Sequence, residues 1–168
     1  LPILVGNITN PSIGAANPGG TTGCAPLEIC FPLNNFSSNH PSTIYIVDYG
    51  DGSPIDTLSH PPPDQLCHSY TVASCGSTPS NSYTFTVYAV NFCDVSVATI
   101  TPIRIFEVPV ANFMAPIENC VNTTMTFNNM SSTGYNNLCS PFTNSMWNFG
   151  DGNTFSSITL DDVTHTFT

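Results

Sequence analysis

One turn is written twice in this chain, and that duplication restricts the fold more than any other feature. "IVDYGDG" (Ile46 to Gly52) returns as "MWNFGDG" (Met146 to Gly152), "NNFSS" (Asn34 to Ser38) as "NNMSS" (Asn128 to Ser132), and "HSY" (His68 to Tyr70) as "HTF" (His165 to Phe167). Three matched blocks in one order mark an internal repeat. Their offsets of 94, 100 and 97 set the unit at about a hundred residues, the size of one β-sandwich. Unequal offsets place the insertions in loops.

Helix signals are nearly absent. No window sustains apolar residues at i, i+3, i+4 and i+7, and the 15 Pro and 11 Gly interrupt most ten-residue stretches. Strand signals are frequent: "TIYIVDY" (Thr43 to Tyr49), "SYTFTVYAV" (Ser82 to Val90), "VATITPIRIFEV" (Val97 to Val108) and "TTMTFNNM" (Thr123 to Met130) are rich in β-branched and aromatic residues. In "SYTFTVYAV", Tyr83, Phe85, Val87 and Ala89 share one face and Thr84, Thr86, Tyr88 and Val90 the other. Short alternating strands between polar turns predict an all-β chain of antiparallel sandwiches. The boundary falls near "FEVPVANF", where the last strand of the first unit runs through Pro109, giving units 1–108 and 109–168.

The repeated turn has a physical reading of its own. Gly50 and Gly52 permit positive φ around Asp51, whose carboxylate can accept backbone N–H bonds within the bend; Gly150, Asp151 and Gly152 repeat it. Val47 and Trp147 are expected to point into the core, and His68 and His165 to hydrogen-bond a neighbouring loop. On this reading the motif is architecture.

Charge excludes two partner classes. A single Lys or Arg stands against 11 Asp and Glu, a net charge of -10, so neither nucleic acid nor an anionic lipid surface finds the basic cluster it needs. With 40% hydrophobic residues in 168 the chain can still build a core. Seven cysteines without a CxxC pair point to disulfides in an oxidising, extracellular setting, with one cysteine left over. No apolar run approaches the length of a membrane-spanning helix. Leu1 is not an initiator methionine, so the sequence reads as a segment of a longer or processed protein. Asn7, Asn35, Asn122 and Asn129 head N-glycosylation sequons, and Asp56-Thr57-Leu58 is similar to a short bacterial O-glycosylation signal at Thr57.

Other chemistries find thin support. Asp48 and Asp51, Asp151, and the adjacent Asp161 and Asp162 are candidate calcium ligands, yet no DxDxDG loop accompanies them. His60, Cys67 and His68 have no tetrahedral zinc spacing. Without a Gly-x-Ser-x-Gly elbow, nothing assigns a nucleophile, and no catalytic residue is expected. Carbohydrate binding would need exposed aromatics; Tyr45, Tyr88 and Tyr135 are the candidates not already placed in the core.

The aromatic-Gly-Asp-Gly turn after a strand, followed by His-x-aromatic and a "YTFTVYAVN" strand, resembles the PKD domain family across nearly the whole chain. Trp147, Phe149, Gly150, Asp151 and Gly152 match its "WxFGDG" signature, and His165 with Phe167 its "HxY". The first unit carries the same set in Tyr49, Gly50, Asp51, Gly52, His68 and Tyr70, but departs with Val47 for Trp and Tyr49 for Phe. The resemblance implies immunoglobulin-like sandwiches in tandem, in an extracellular or cell-surface protein. Within that topology Cys120–Cys139, Cys67–Cys93 and Cys24–Cys75 are the expected bridges, and Cys30 is left as a buried thiol.

After "HSY" the first unit continues through two more strands, whereas only Thr168 follows "HTF". Either the chain continues, or a neighbouring subunit donates a strand, for which the apolar arm "LPILVGNIT" (Leu1 to Thr9) is a candidate. The reading is then a non-enzymatic structural or adhesive repeat, a homo-oligomer or filament joined at sheet edges. The alternatives are an accessory module of a secreted protease or chitinase, and a glycan-binding module.

Overall fold

Period-two alternation becomes two facing sheets in the computed structural model, which describes residues 9–135, 138–142 and 144–168. The chain is all-β, has no helix among the described residues, and divides into two compact units, Leu1–Ile105 and Phe106–Thr168.

The first unit contains β1 (Gly14–Ala15), β2 (Thr22–Cys24), β3 (Leu27–Asn34), β4 (Ile44–Asp48), β5 (Asp56–Ser59), β6 (Gln65–Tyr70), β7 (Tyr83–Val90) and β8 (Val95–Phe106). One sheet runs β1-β3-β6, the other β2-β8-β7-β4-β5. Ile29, Phe31 and Leu33 of β3 face Tyr45 and Val47 of β4 and Phe85, Val87 and Ala89 of β7 in one buried cluster. The Phe31 and Phe85 rings stack across it, centroids 4.0 Å apart. Such side chains each contribute about 1.5–3 kcal/mol on burial, which is what drives the two sheets together. The alternation expected of Tyr83 to Val90 is present in full.

The same pleat decides the disulfides. Ile29 and Phe31 point inward, so Cys30 between them points out; Leu66 points inward, so Cys67 points out. The β3–β6 ladder sets Cys30 directly opposite Cys67, and the two are bonded, with Cα atoms 3.9 Å apart. Cys30 is therefore not a buried thiol, and Cys67 is not paired with Cys93. Cys24 projects to solvent from the edge strand β2 and Cys120 is exposed before the second unit's long strand; both are free thiols. The expected Cys24–Cys75 and Cys120–Cys139 bridges are thus absent, although Cys75 and Cys139 are each disulfide-bonded.

The second unit contains β9 (Phe113–Met114), β10 (Thr124–Asn129), β11 (Gly134–Tyr135), β12 (Pro141–Phe142), β13 (Ser145–Asn148), β14 (Thr154–Ser157) and β15 (Val163–Thr166). These form sheets β15-β10-β9, β11-β12 and β13-β14. The duplication is visible in the ladders. Ile29 faces His68 and Phe31 faces Leu66; Met125 faces His165 and Phe127 faces Val163. Likewise β4–β5 corresponds to β13–β14. Among the described residues nothing in this unit corresponds to β7 and β8. Phe31 and Val47 are fully buried, whereas their counterparts Phe127 and Trp147 are only half-buried.

No strand runs through Pro109. β8 ends at Phe106, the Glu107 carbonyl accepts from Tyr135 N–H at 3.0 Å, and Val110 makes a lone bridge with Ser132. A proline nitrogen has no hydrogen to offer a ladder, and the chain redirects there.

Candidate functional site

Two constellations stand out: a clasp repeated in each unit, and an open sheet edge in the second.

The clasp is built by the duplicated turn. Gly50 and Gly52 have φ of 78° and 83°, and Gly150 and Gly152 of 85° and 95°. This left-handed backbone folds the chain tightly around each aspartate. Gly50 N–H donates to Asp48 Oδ1 at 2.8 Å and Ser53 N–H to Asp51 Oδ1 at 3.0 Å. Gly150 N–H donates to Asn148 Oδ1 and Asn153 N–H to Asp151 Oδ1, both at 3.0 Å. The second carboxylate oxygen is left for the histidine. His68 Nε2 lies 2.7 Å from Asp51 Oδ2, and His165 Nε2 2.7 Å from Asp151 Oδ2.

Aromatic rings fix both imidazoles. His68 stacks on Tyr49 at 4.0 Å and meets Tyr70 edge-on; His165 stacks on Phe149 at 4.1 Å and meets Phe167 edge-on. Each histidine belongs to a strand of one sheet and each aspartate to a turn of the other, so the pair ties the layers together. In the first unit Tyr70 Oη adds a bond to the Tyr49 carbonyl at 3.0 Å, which Phe167 has no hydroxyl to make.

Electrostatics agree with a structural clasp. Burial alone would push the Asp51 carboxyl up, but hydrogen bonds from Ser53 and His68 outweigh it and hold the group below its usual value. Asp151 is held at about 2, chiefly by the Asn153 backbone N–H and then by His165. Burial, reinforced by the Asp56 charge, lifts the Tyr49 phenol to about 12.

The other candidate residues disperse. Asp48, Asp51 and Asp151 direct oxygens into their own turns, Asp161 accepts from Thr159 Oγ1 at 2.7 Å, and Asp162 accepts from Asn129 N–H at 2.9 Å. Among the described residues no three His, Cys, Asp or Glu converge as a metal site. His60 bonds Tyr45 Oη at 2.9 Å. Tyr45 is fully buried, whereas Tyr88 is 38% exposed on the outward side of β7 and Tyr135 is half-buried. Asn35, Asn122 and Thr57 are exposed. Asn129 turns its amide nitrogen inward, without a hydrogen-bond partner among the described residues; Asn7 lies outside the described residues.

The open edge is the feature with unmet bonding capacity. β13 pairs with β14 along one side only, among the described residues. Beside it lies a groove of about 480 Å³ whose apolar lining includes Phe113, Phe127, Met146, Trp147, Phe149 and Phe167. In the first unit β7 occupies the corresponding edge of β4. A Cβ on Gly50 would collide there with the backbone of Thr84 in β7, whereas a Cβ on Gly150 would meet nothing within 4 Å. The Trp147 indole N–H is buried and has no partner among the described residues. Sequence reasoning placed Trp147 in a core but missed Phe113 and Met146; the equivalence of Phe127 to Phe31 that marks the groove comes from the ladders.

No protein-family model and no curated protein sequence matches the chain.

Proposed function

We propose that this chain is a non-enzymatic structural or adhesive repeat of an extracellular or cell-surface protein, a tandem of PKD-like sandwiches that assembles head to tail into a filament by strand complementation. The observation that carries this reading is the edge of β13, unpaired among the described residues, above an apolar groove, in a unit whose twin fills that place with β7. An edge of this kind offers a row of backbone donors and acceptors to an extended strand, with pockets for alternate side chains. The Cys30–Cys67 bond suits an oxidising exterior. In both units the histidine and aspartate of the repeated motif are engaged with each other, which suits a structural role more than catalysis.

Static light scattering at native protein concentration, without reductant, tests it. Mass that grows with concentration supports the reading, and a monomer throughout overturns it. A second reading draws on one observation: Phe113 is 56% exposed beside a groove that also presents Asn112, Asn144 and Asn148. Aromatic faces with side-chain amides are the chemistry of a glycan subsite, and saturable binding of soluble oligosaccharides to a monomer would favour it. An accessory role beside a secreted hydrolase would show as a catalytic domain encoded in the same gene.

A further inference from the structure

We infer that the outward face of the β2-β8-β7-β4-β5 sheet, around Tyr88, is a contact surface for the same face of a second copy of this chain. The surface lies within the first unit and makes no use of the β13 edge. The pleat that buries Tyr45, Val47, Phe85, Val87 and Ala89 turns the residues between them outward, and the ladders set those residues in rows. Ile46 stands opposite Tyr88 and Tyr88 opposite Val97; in the next row Ile44 stands opposite Val90 and Val90 opposite Val95. Both rows are apolar across three strands. An antiparallel sheet with one solvated face ordinarily carries polar residues there, and the far half of this face does so. Thr86 stands opposite Thr99, and Thr84 Oγ1 donates to Thr101 Oγ1 at 3.1 Å. The half nearer the β7–β8 turn departs from that pattern. Tyr88 is 38% exposed, Ile44 42%, Val95 and Val97 54% each, and Phe92 in the turn 88%. These five side chains alone present about 500 Å² to solvent.

Area and charge identify the occupant. Contiguous apolar patches of this size on a monomer are often functional, and two of them pressed together bury about 1,000 Å², the size at which a specific interface begins. The threonine half supplies the polar rim that such an interface carries. Neither apolar row holds a charged side chain. In the adjoining turn the Asp94 carboxylate is engaged by Asn10 Nδ2 at 3.2 Å and by Val95 N–H at 2.8 Å. Two copies that each carry a net charge of -10 repel through acidic surface, and a neutral apolar face is where they can meet. A basic partner would be drawn instead to the carboxylates elsewhere on the molecule. A glycan would find a single hydroxyl within the two rows, that of Tyr88. Twisted sheets pack face to face with their strands within about 30° of each other. A sheet and its own copy, related by a two-fold axis, meet that requirement in an isologous contact that closes at two subunits.

Hydroxyl-radical footprinting of the full chain, read by mass spectrometry over a dilution series, tests the inference at the face itself. Oxidation of Tyr88 and Phe92 is expected to fall about threefold or more from dilute to concentrated protein, and further with added salt, which screens the repulsion between copies. Val72, exposed elsewhere on the unit, is expected to stay unchanged. Val97→Glu, which places a charge in the middle of the face, is expected to abolish the protection. Val95→Thr with Val97→Thr keeps the β-branched shape that the strand favours and is expected to shift the protection to higher concentration. Tyr88 and Phe92 equally oxidised at every concentration overturn the inference, and mass that grows while the face stays open leaves strand complementation standing. Protection that survives Val97→Glu, or that appears only with phosphatidylcholine vesicles, also overturns it, the latter in favour of a lipid surface.

Discussion

His68 Nε2 lies 2.7 Å from Asp51 Oδ2, and that contact joins strand β6 of one sheet to the turn that closes β4 in the other. The second unit makes the same contact between His165 and Asp151. Two copies that differ at Val47/Trp147 and Tyr49/Phe149 share this one clasp.

Removing one partner of the half-buried clasp should cost the first unit more than an average surface change. Hydrogen bonds to a charged group are worth about 1.5–3 kcal/mol, so Asp51→Ala or His68→Ala should lower the urea midpoint accordingly. The double variant should cost little more than either single one, because both delete the same contact.

Acid should weaken both units together. A carboxyl whose pKa is lower in the folded chain than in the unfolded one favours folding wherever it is ionised. Asp51 is lowered and Asp151 sits at about 2. Their stabilisation is complete above the ordinary aspartate value of about 3.9 and fades as pH falls toward about 2. Denaturation series from pH 7 to pH 2 should show stability dropping across that window, and Asp51→Asn with Asp151→Asn should flatten the drop.

The Cys30–Cys67 bond closes a loop with a sequence separation of 37, for which loop-closure entropy gives about 3–4 kcal/mol. Cys30→Ser should destabilise the first unit by that order in calorimetry, and reductant should have no further effect on that bond's contribution in the variant.

Why the disulfides were not legible while the strands were has a physical reason. Alternation in "SYTFTVYAV" states which residues of one strand share a face, and Tyr83, Phe85, Val87 and Ala89 are buried as that pattern requires. Cysteine pairing depends instead on which residue of a distant strand stands opposite, and Cys30 meets Cys67 only through the β3–β6 register. The histidines illustrate an intermediate case. Their bond to a nearby loop followed from the motif, but the repeated aspartate as acceptor needed the fold. The "NNFSS" match also misled slightly: its offset of 94 places Phe31 two residues away from Phe127, which the ladders pair as equivalents. Loop text and strand register had drifted apart.

Glycine replacement should separate the two turns. Gly50→Ala meets the Thr84 backbone as well as an unfavourable φ, whereas Gly150→Ala meets only the φ, a cost of about 1–2 kcal/mol. Gly150→Ala should therefore fold, and on the strand-complementation reading it should assemble poorly, because an incoming strand would have to pass that position as β7 passes Gly50; sedimentation of the two variants measures the difference.

Trp147 is the only tryptophan in the chain and lines the groove beside β13, so its emission reports directly on whether that edge is filled. Fluorescence recorded together with light scattering over a dilution series is the decisive measurement. Strand complementation predicts a blue-shifted, quencher-protected indole in high-mass material that shifts red and becomes accessible as the mass falls on dilution. An emission maximum that stays constant while the mass changes, or a monomer at every concentration, would contradict it.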